Sequence, residues 1–143
     1  MAWGNREISQ LALGVFGDDL WNTGGMAELE DHLADDFRNH QLPDARGGES
    51  VMDLEEWRTL LHRFHQGFSD ARMEILRQVA EGDYVATRWR VTAKNVAEFA
   101  GYPATGRSCT WTGASTDRFD GGRLAETWVD WDKYTFLAGL DLV

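Results

Sequence analysis

The chain of 143 residues has a single cysteine, only 14 lysines and arginines against 24 acidic residues, and no long apolar run. Each shortage excludes something. One cysteine, Cys109, rules out an internal disulfide and a cysteine-rich zinc site, and its apolar, strand-like context reads as a small core residue. No run approaches the ~20 apolar residues that span a bilayer. The start, Met1 to Glu7, lacks a basic segment followed by an apolar stretch, so no secretory signal is expected and the expected compartment is the cytoplasm. A formal net charge of −10, with the basic residues scattered, repels phosphate backbones, so neither nucleic acid nor an anionic membrane is an expected partner. Gly-rich phosphate loops, a Ser-His-Asp arrangement and flavin or nicotinamide fingerprints are missing, as are repeats and low-complexity tracts. His62 and His65 are not four apart and have no acid at ligand spacing, so no metal site is expected there; His32 reads as a solvated helix residue.

What is present suits one soluble globular domain over 1–143: 43% hydrophobic and 27% charged residues, at a length that buries one core. Seven tryptophans stand out. That many flat side chains fit a pocket for a flat apolar ligand, although Trp21 and Trp57 are explained equally well as helix core residues.

Apolar residues at helical spacing predict one helix over about 5–22, stopped by Asn22-Thr23-Gly24-Gly25, and a short second one over about 26–34. An irregular stretch begins at Phe37, and residues 43–50 read as an exposed loop. Asp53 with Glu56 forms a capping-box pattern opening a third helix, whose stripe is Leu54, Trp57, Leu60, Leu61, Phe64 and Phe68. The period then changes to alternation. Met73, Ile75 and Val79 mark a first strand, Val85 to Ala93 a second after the turn Glu81-Gly82-Asp83, and 107–119 a third with a bend near Gly113. Asp120-Gly121-Gly122 turns into a terminal strand. Three helices before an antiparallel meander predict an α+β domain with the helices packed on a strongly curved sheet, enclosing a cone.

In the terminal strand, Arg123 to Asp132, strict alternation puts Leu124, Glu126, Trp128, Asp130 and Asp132 on one face, and Ala125, Thr127, Val129 and Trp131 on the other. If the acidic face looks into an apolar enclosure, its carboxylates have raised pKa values and can act as acid or base; otherwise they are a solvated face. Asp130 and Asp132 at i and i+2 would lie about 7 Å apart, close enough to disfavour ionising both.

Several segments in order carry a family likeness: Leu20-Trp21-Asn22-Thr23-Gly24-Gly25, Leu33 to His40, Glu81 to Trp89, Glu98-Phe99-Ala100-Gly101-Tyr102-Pro103-Ala104-Thr105-Gly106-Arg107, and Arg118 to Trp128 followed by Asp132. Together they resemble the SnoaL-like polyketide cyclases, over about residues 8–142. The resemblance implies a cone-shaped α+β barrel of the nuclear-transport-factor-2-like superfamily and a cofactor-free enzyme of polyketide antibiotic biosynthesis, closing a ring by aldol-type or related chemistry. It also implies an acid/base aspartate on the last strand, which maps onto Asp132. Two departures stand out: Asn95 occupies a site where many relatives carry histidine, and Asp130 one where they carry an apolar residue.

Expected site residues are therefore Asp132 and Asp130 as catalytic acids, with His40, Trp89, Asn95, Trp111, Glu126 and Trp128 shaping the substrate site. Three functions remain open: a cyclase, a non-catalytic small-molecule binding protein of the same fold, and an epoxide hydrolase. A hydrophobic polyketide-like small molecule is the expected ligand. A homodimer pairing the outer sheet faces is also expected, because Arg88, Arg90, Thr127 and Trp131 would lie opposite the cavity and an outward Trp131 is unfavourable in water.

Overall fold

A computed structural model describes residues 4–43 and 48–143. Part of the loop expected over 43–50 therefore lies outside the described residues. The chain runs α1 (Asn5–Gly14), α2 (Asp18–Asn22), α3 (Gly25–Glu30), β1 (Leu33–Leu42), β2 (Ser50–Met52), α4 (Leu54–Gly67), β3 (Phe68–Glu81), β4 (Tyr84–Asn95), β5 (Ser108–Asp120), β6 (Arg123–Trp131) and α5 (Lys133–Gly139).

The first expected helix is two. After Val15 the hydrogen bonds tighten to i→i−3, with Phe16 N–H on Leu13 O and Gly17 N–H on Gly14 O. A Cβ at Gly17 would stand 3.4 Å from Met73 N, so this break is where the helical segment passes close against β3. Asp18 uses the approach, accepting the Ala71 N–H at 3.2 Å. The second expected helix ends at Glu30, and 33–42 is strand: Phe37 and Asn39 are buried while Arg38 is exposed, an alternation of period two. The capping box is present, with Asp53 Oδ1 accepting from Glu56 N at 2.9 Å and Glu56 Oε1 accepting from Asp53 N at 3.2 Å. From it α4 carries Trp57, Leu61 and Phe64 into the core.

Six strands form one curved sheet in the order β2-β1-β6-β5-β4-β3. The meander β3-β4-β5-β6 is antiparallel, as expected; β1, which the sequence reading missed, adds to β6 in parallel and β2 adds to β1. Register shifts interrupt the β3–β4, β5–β6 and β1–β6 ladders, and such bulges bend strands and increase twist. The helices pack on the concave side. One core cluster joins Ile8, Leu11 and Val15 of α1 to Leu29, Phe37, Trp57, Leu61 and Leu124. The other gathers Phe64, Phe68, Trp111, Phe99 and Phe136 with Cys109. Burial of each large side chain contributes roughly 1.5–3 kcal/mol. Cys109 is the core residue expected, and its burial pushes the thiol up to about 11, far from a reactive thiolate.

One bulge corrects the reading of β6. Phe119 of β5 pairs with Leu124 and Arg118 pairs with Glu126, so Ala125 is an extra residue with no partner. An inserted residue reverses every side chain after it. Leu124 and Ala125 are both buried, and from there Thr127, Val129 and Trp131 face inward, while Glu126, Trp128 and Asp130 lie on the convex face. Leu124 keeps its expected inward place, and beyond the bulge the expected inward and outward sets are exchanged. Asp132 lies beyond the strand as the N-cap of α5, the helix that the sequence reading did not anticipate.

Candidate active site

Between the two core clusters the cone holds a cavity of about 840 Å³. Its walls are largely aromatic: Phe16 from the α1–α2 break, Trp57 from α4, Trp89, Trp111 and Trp131 from β4, β5 and β6, and Phe136 from α5. Gly113 permits this packing. It sits opposite Trp89 in the ladder, and a Cβ there would meet the Trp89 ring at 2.3 Å and Asp130 O at 2.7 Å. Trp89 lies across that gap and donates its indole N–H to Ser115 Oγ at 3.0 Å. Trp131 donates its indole N–H to Pro43 O.

Polar groups gather on one stretch of wall: Asn39 and Gln41 of β1, Ser115 and Asp117 of β5, and Thr127 of β6. Gln41 donates to Asn39 Oδ1 at 2.6 Å. Asp117 is the carboxylate of this group, 2% exposed. Ser9 of α1 donates its hydroxyl to Oδ2 at 2.6 Å, and Thr127 donates to Oδ1. Burial pushes the Asp117 carboxyl up to about 6, and the two hydroxyl donors pull against that shift. A carboxylate that takes up and releases a proton near neutrality is a competent acid or base.

Glu56, Thr59, Arg63 and Gln66 follow one side of α4 along the cavity, and Glu98 to Gly101 contribute a loop. Asn95 fixes that loop. Its Nδ2 donates to Gly67 O at 3.1 Å and Ala97 O at 2.9 Å, and its Oδ1 accepts from Thr105 N at 2.7 Å and Thr105 Oγ1 at 2.9 Å. Both ends of the 96–106 segment are thus tied to one buried side chain.

Of the residues expected at the site, Trp89 and Trp111 line the cavity. Asn95 is buried as this staple and is not among the lining residues. Asp132 is exposed and spends both oxygens on Thr135, Oδ1 accepting its N–H at 3.0 Å and Oδ2 its hydroxyl at 2.6 Å; these bonds hold its carboxyl below the usual range. Asp130 is exposed on the convex face. His40, Glu126 and Trp128 meet on the convex face of β1 and β6. His40 Nε2 is 2.7 Å from Glu126 Oε2, its ring stacks on Trp128 at 5.2 Å, and Arg118 reaches Glu126 at 3.3 Å. His65 stacks on Trp21 at 4.4 Å and its Nε2 is 2.8 Å from Val15 O; burial lowers its pKa.

The sequence reading missed Asp117, and a signal for it existed. Cys109, Trp111, Ser115, Asp117 and Phe119 alternate without a change of phase along β5, all buried. An acid in phase with Cys109 and Trp111 points where they point. The bend assumed at Gly113 concealed that continuity.

The sequence profile of the SnoaL-like polyketide cyclases matches residues 13–140. The chain belongs to that family. Solved structures of this cone fold superpose on it over nearly their full length. IdmH, a candidate polyketide cyclase from Streptomyces antibioticus, is 28% identical with a TM-score of 0.75, the alignment covering 94% of this chain and 99% of IdmH. AclR, a candidate hydroxylase from Streptomyces galilaeus, is 24% identical with a TM-score of 0.76 over 96% of this chain and 87% of AclR. TsrD from Streptomyces laurentii is 20% identical with a TM-score of 0.77 over 96% and 95%. No curated protein matches the sequence. No helix among the described residues is long and apolar enough to cross a membrane.

Proposed function

We propose that this family member is a cofactor-free cyclase that closes a ring in a hydrophobic polyketide-like small molecule, with Asp117 as its acid/base. The observation that carries the reading is the buried Asp117 carboxyl, pushed up to about 6 on the polar stretch of a cavity whose other walls are largely aromatic. Family membership and the likeness to IdmH, a candidate polyketide cyclase, support the reaction class.

After accepting one hydroxyl each, both Asp117 oxygens keep a lone pair. One of them takes the proton from an activated C–H between two carbonyls. The enolate carbon then bonds to a second carbonyl carbon of the same molecule, and the new alkoxide recovers the proton from Asp117. The carboxylate is regenerated and no co-reactant is consumed. The indole walls hold the chain folded with its reacting carbons close and keep water out, which supplies much of the acceleration. Asp117→Asn, nearly isosteric, should lower the chemical step by on the order of 10²- to 10⁴-fold while ligand binding persists. Unchanged turnover by that variant removes Asp117 from the chemistry.

A second reading, a non-catalytic binding protein, is favoured by the same two hydroxyl bonds, since a buried acid already holding two donors also serves as a structural group. Parent protein that binds aromatic ligands but never outpaces the buffer reaction supports it. For assembly, we propose a homodimer through the convex sheet face, which carries the exposed Arg88 and Asp130 and the His40–Trp128 stack.

A further inference from the structure

Among the described residues, the cavity lining contains one cation. Of the charged described residues in the lining, Glu56, Glu98 and Asp117 are acids and Arg63 is the basic residue. Each acid is already engaged: Glu56 Oε1 accepts the Asp53 N–H at 3.2 Å, Glu98 Oε1 accepts the Gly101 N–H at 2.5 Å, and Asp117 holds two hydroxyls. Arg63 makes no hydrogen bond or ion pair with any described residue, whereas its helix neighbour Arg58 is paired with Glu30. The position is also one-sided. Arg63 is exposed on α4, between Thr59 one turn before and Gln66 one turn after, both lining the same cavity, while the next residue, Phe64, is buried in the core.

We infer that Arg63 is a specificity-determining residue, binding the anionic end of the ligand, and that the cavity is built for a flat, elongated apolar molecule ending in a carboxylate. The inference rests on the proposed function only in taking the cavity as the ligand site. A guanidinium offers a planar fork of donors that matches a carboxylate, and Thr59 and Gln66 supply neutral hydrogen-bonding groups beside it. The chain as a whole carries −10 and repels anions, so an anionic ligand gains from a local cation at the place where it enters. The opposite end of such a molecule, carrying ketone or enol oxygens, would lie toward Asn39, Asp117 and Thr127 on the polar wall.

The test uses the whole protein and two fluorescent compounds that share one ring system, the anionic anthracene-2-carboxylate and its neutral methyl ester, titrated in parallel. The carboxylate should bind about fivefold to tenfold more tightly than the ester, as for a charge-assisted pair, and added salt should weaken the carboxylate alone. Arg63→Gln should erase the difference by weakening the carboxylate, leaving the ester within about twofold, and Arg63→Lys should restore part of it. Each compound should displace the other, placing both in one cavity. Equal binding of the two by the parent protein, or an equal effect of Arg63→Gln on both, overturns the inference and leaves the cyclase reading standing. If neither compound binds, the cavity is no site for flat apolar ligands, and both fall. Conversely, an Asp117→Asn variant with unchanged turnover but an intact charge preference overturns the acid/base assignment alone.

Discussion

Thr127 of β6 and Asp117 of β5 are directly opposed in the antiparallel ladder, and the threonine hydroxyl donates to Asp117 Oδ1. The pairing exists because Ala125 bulges out of β6 and turns Thr127 inward. Without that extra residue, Thr127 would face outward and Asp117 would have Ser9 as its donor from these two.

Both hydroxyls favour the charged form of Asp117, so removing either should raise its pKa further above about 6. Thr127→Val and Ser9→Ala should each move the acidic limb of the pH–rate profile upward. Carboxyl chemical shifts followed through a pH titration provide the check without turnover; a downward shift or none would contradict the arrangement.

Stability should carry the same signature. Because the folded-state pKa of Asp117 lies above the unfolded value of 3.8, the native state binds the extra proton between the two. Stability contributed by that proton is complete below about pH 4 and lost as pH rises through about 6, a difference on the order of 3 kcal/mol for this buried group. Asp117→Asn should flatten this part of the curve. Urea midpoints at pH 4.5 and 7.5 for both proteins measure it, and parallel pH dependences would rule it out.

Asp132→Ala separates the two aspartates. As an N-cap bound to Thr135, Asp132 should contribute roughly 0.5–2 kcal/mol to stability. The variant should melt lower yet bind aromatic ligands with unchanged affinity. A loss of ligand affinity at unchanged stability would return Asp132 to the site.

How far the sequence carried differs by element. Helix α4 was legible because its capping box and apolar stripe are local features, and the meander because Gly-containing turns separate alternating runs. The inward face of β6 was not, since one unpaired residue at Ala125 reverses the six positions after it and a bulge leaves no local mark. Strand β1 was obscured by Asp35, Asp36, Arg38 and His40, whose polarity hides the buried Phe37 and Asn39 between them. Helix α5 was hidden behind Trp128-Val129-Asp130-Trp131-Asp132, which reads as continuing strand until Asp132 is seen to cap Thr135. Asp117 was legible in principle from the unbroken alternation of β5.

Gly113→Ala tests the wall itself. A methyl group there meets the Trp89 ring at 2.3 and 2.5 Å and the backbone oxygen of Asp130 at 2.7 Å. The ring can give way only by breaking its bond to Ser115, and the carbonyl belongs to the neighbouring strand. Overpacking of this kind should destabilise the fold by about 1–3 kcal/mol. Because Trp89 lines the cavity, the displaced indole should also alter ligand binding, whereas Gly121→Ala, in the exposed β5–β6 turn at a φ of 58°, should lower stability with ligand affinity intact. Melting curves and ligand titrations on the two variants make the comparison. If Gly113→Ala binds ligand as the parent does, Trp89 packs the core without shaping the cavity.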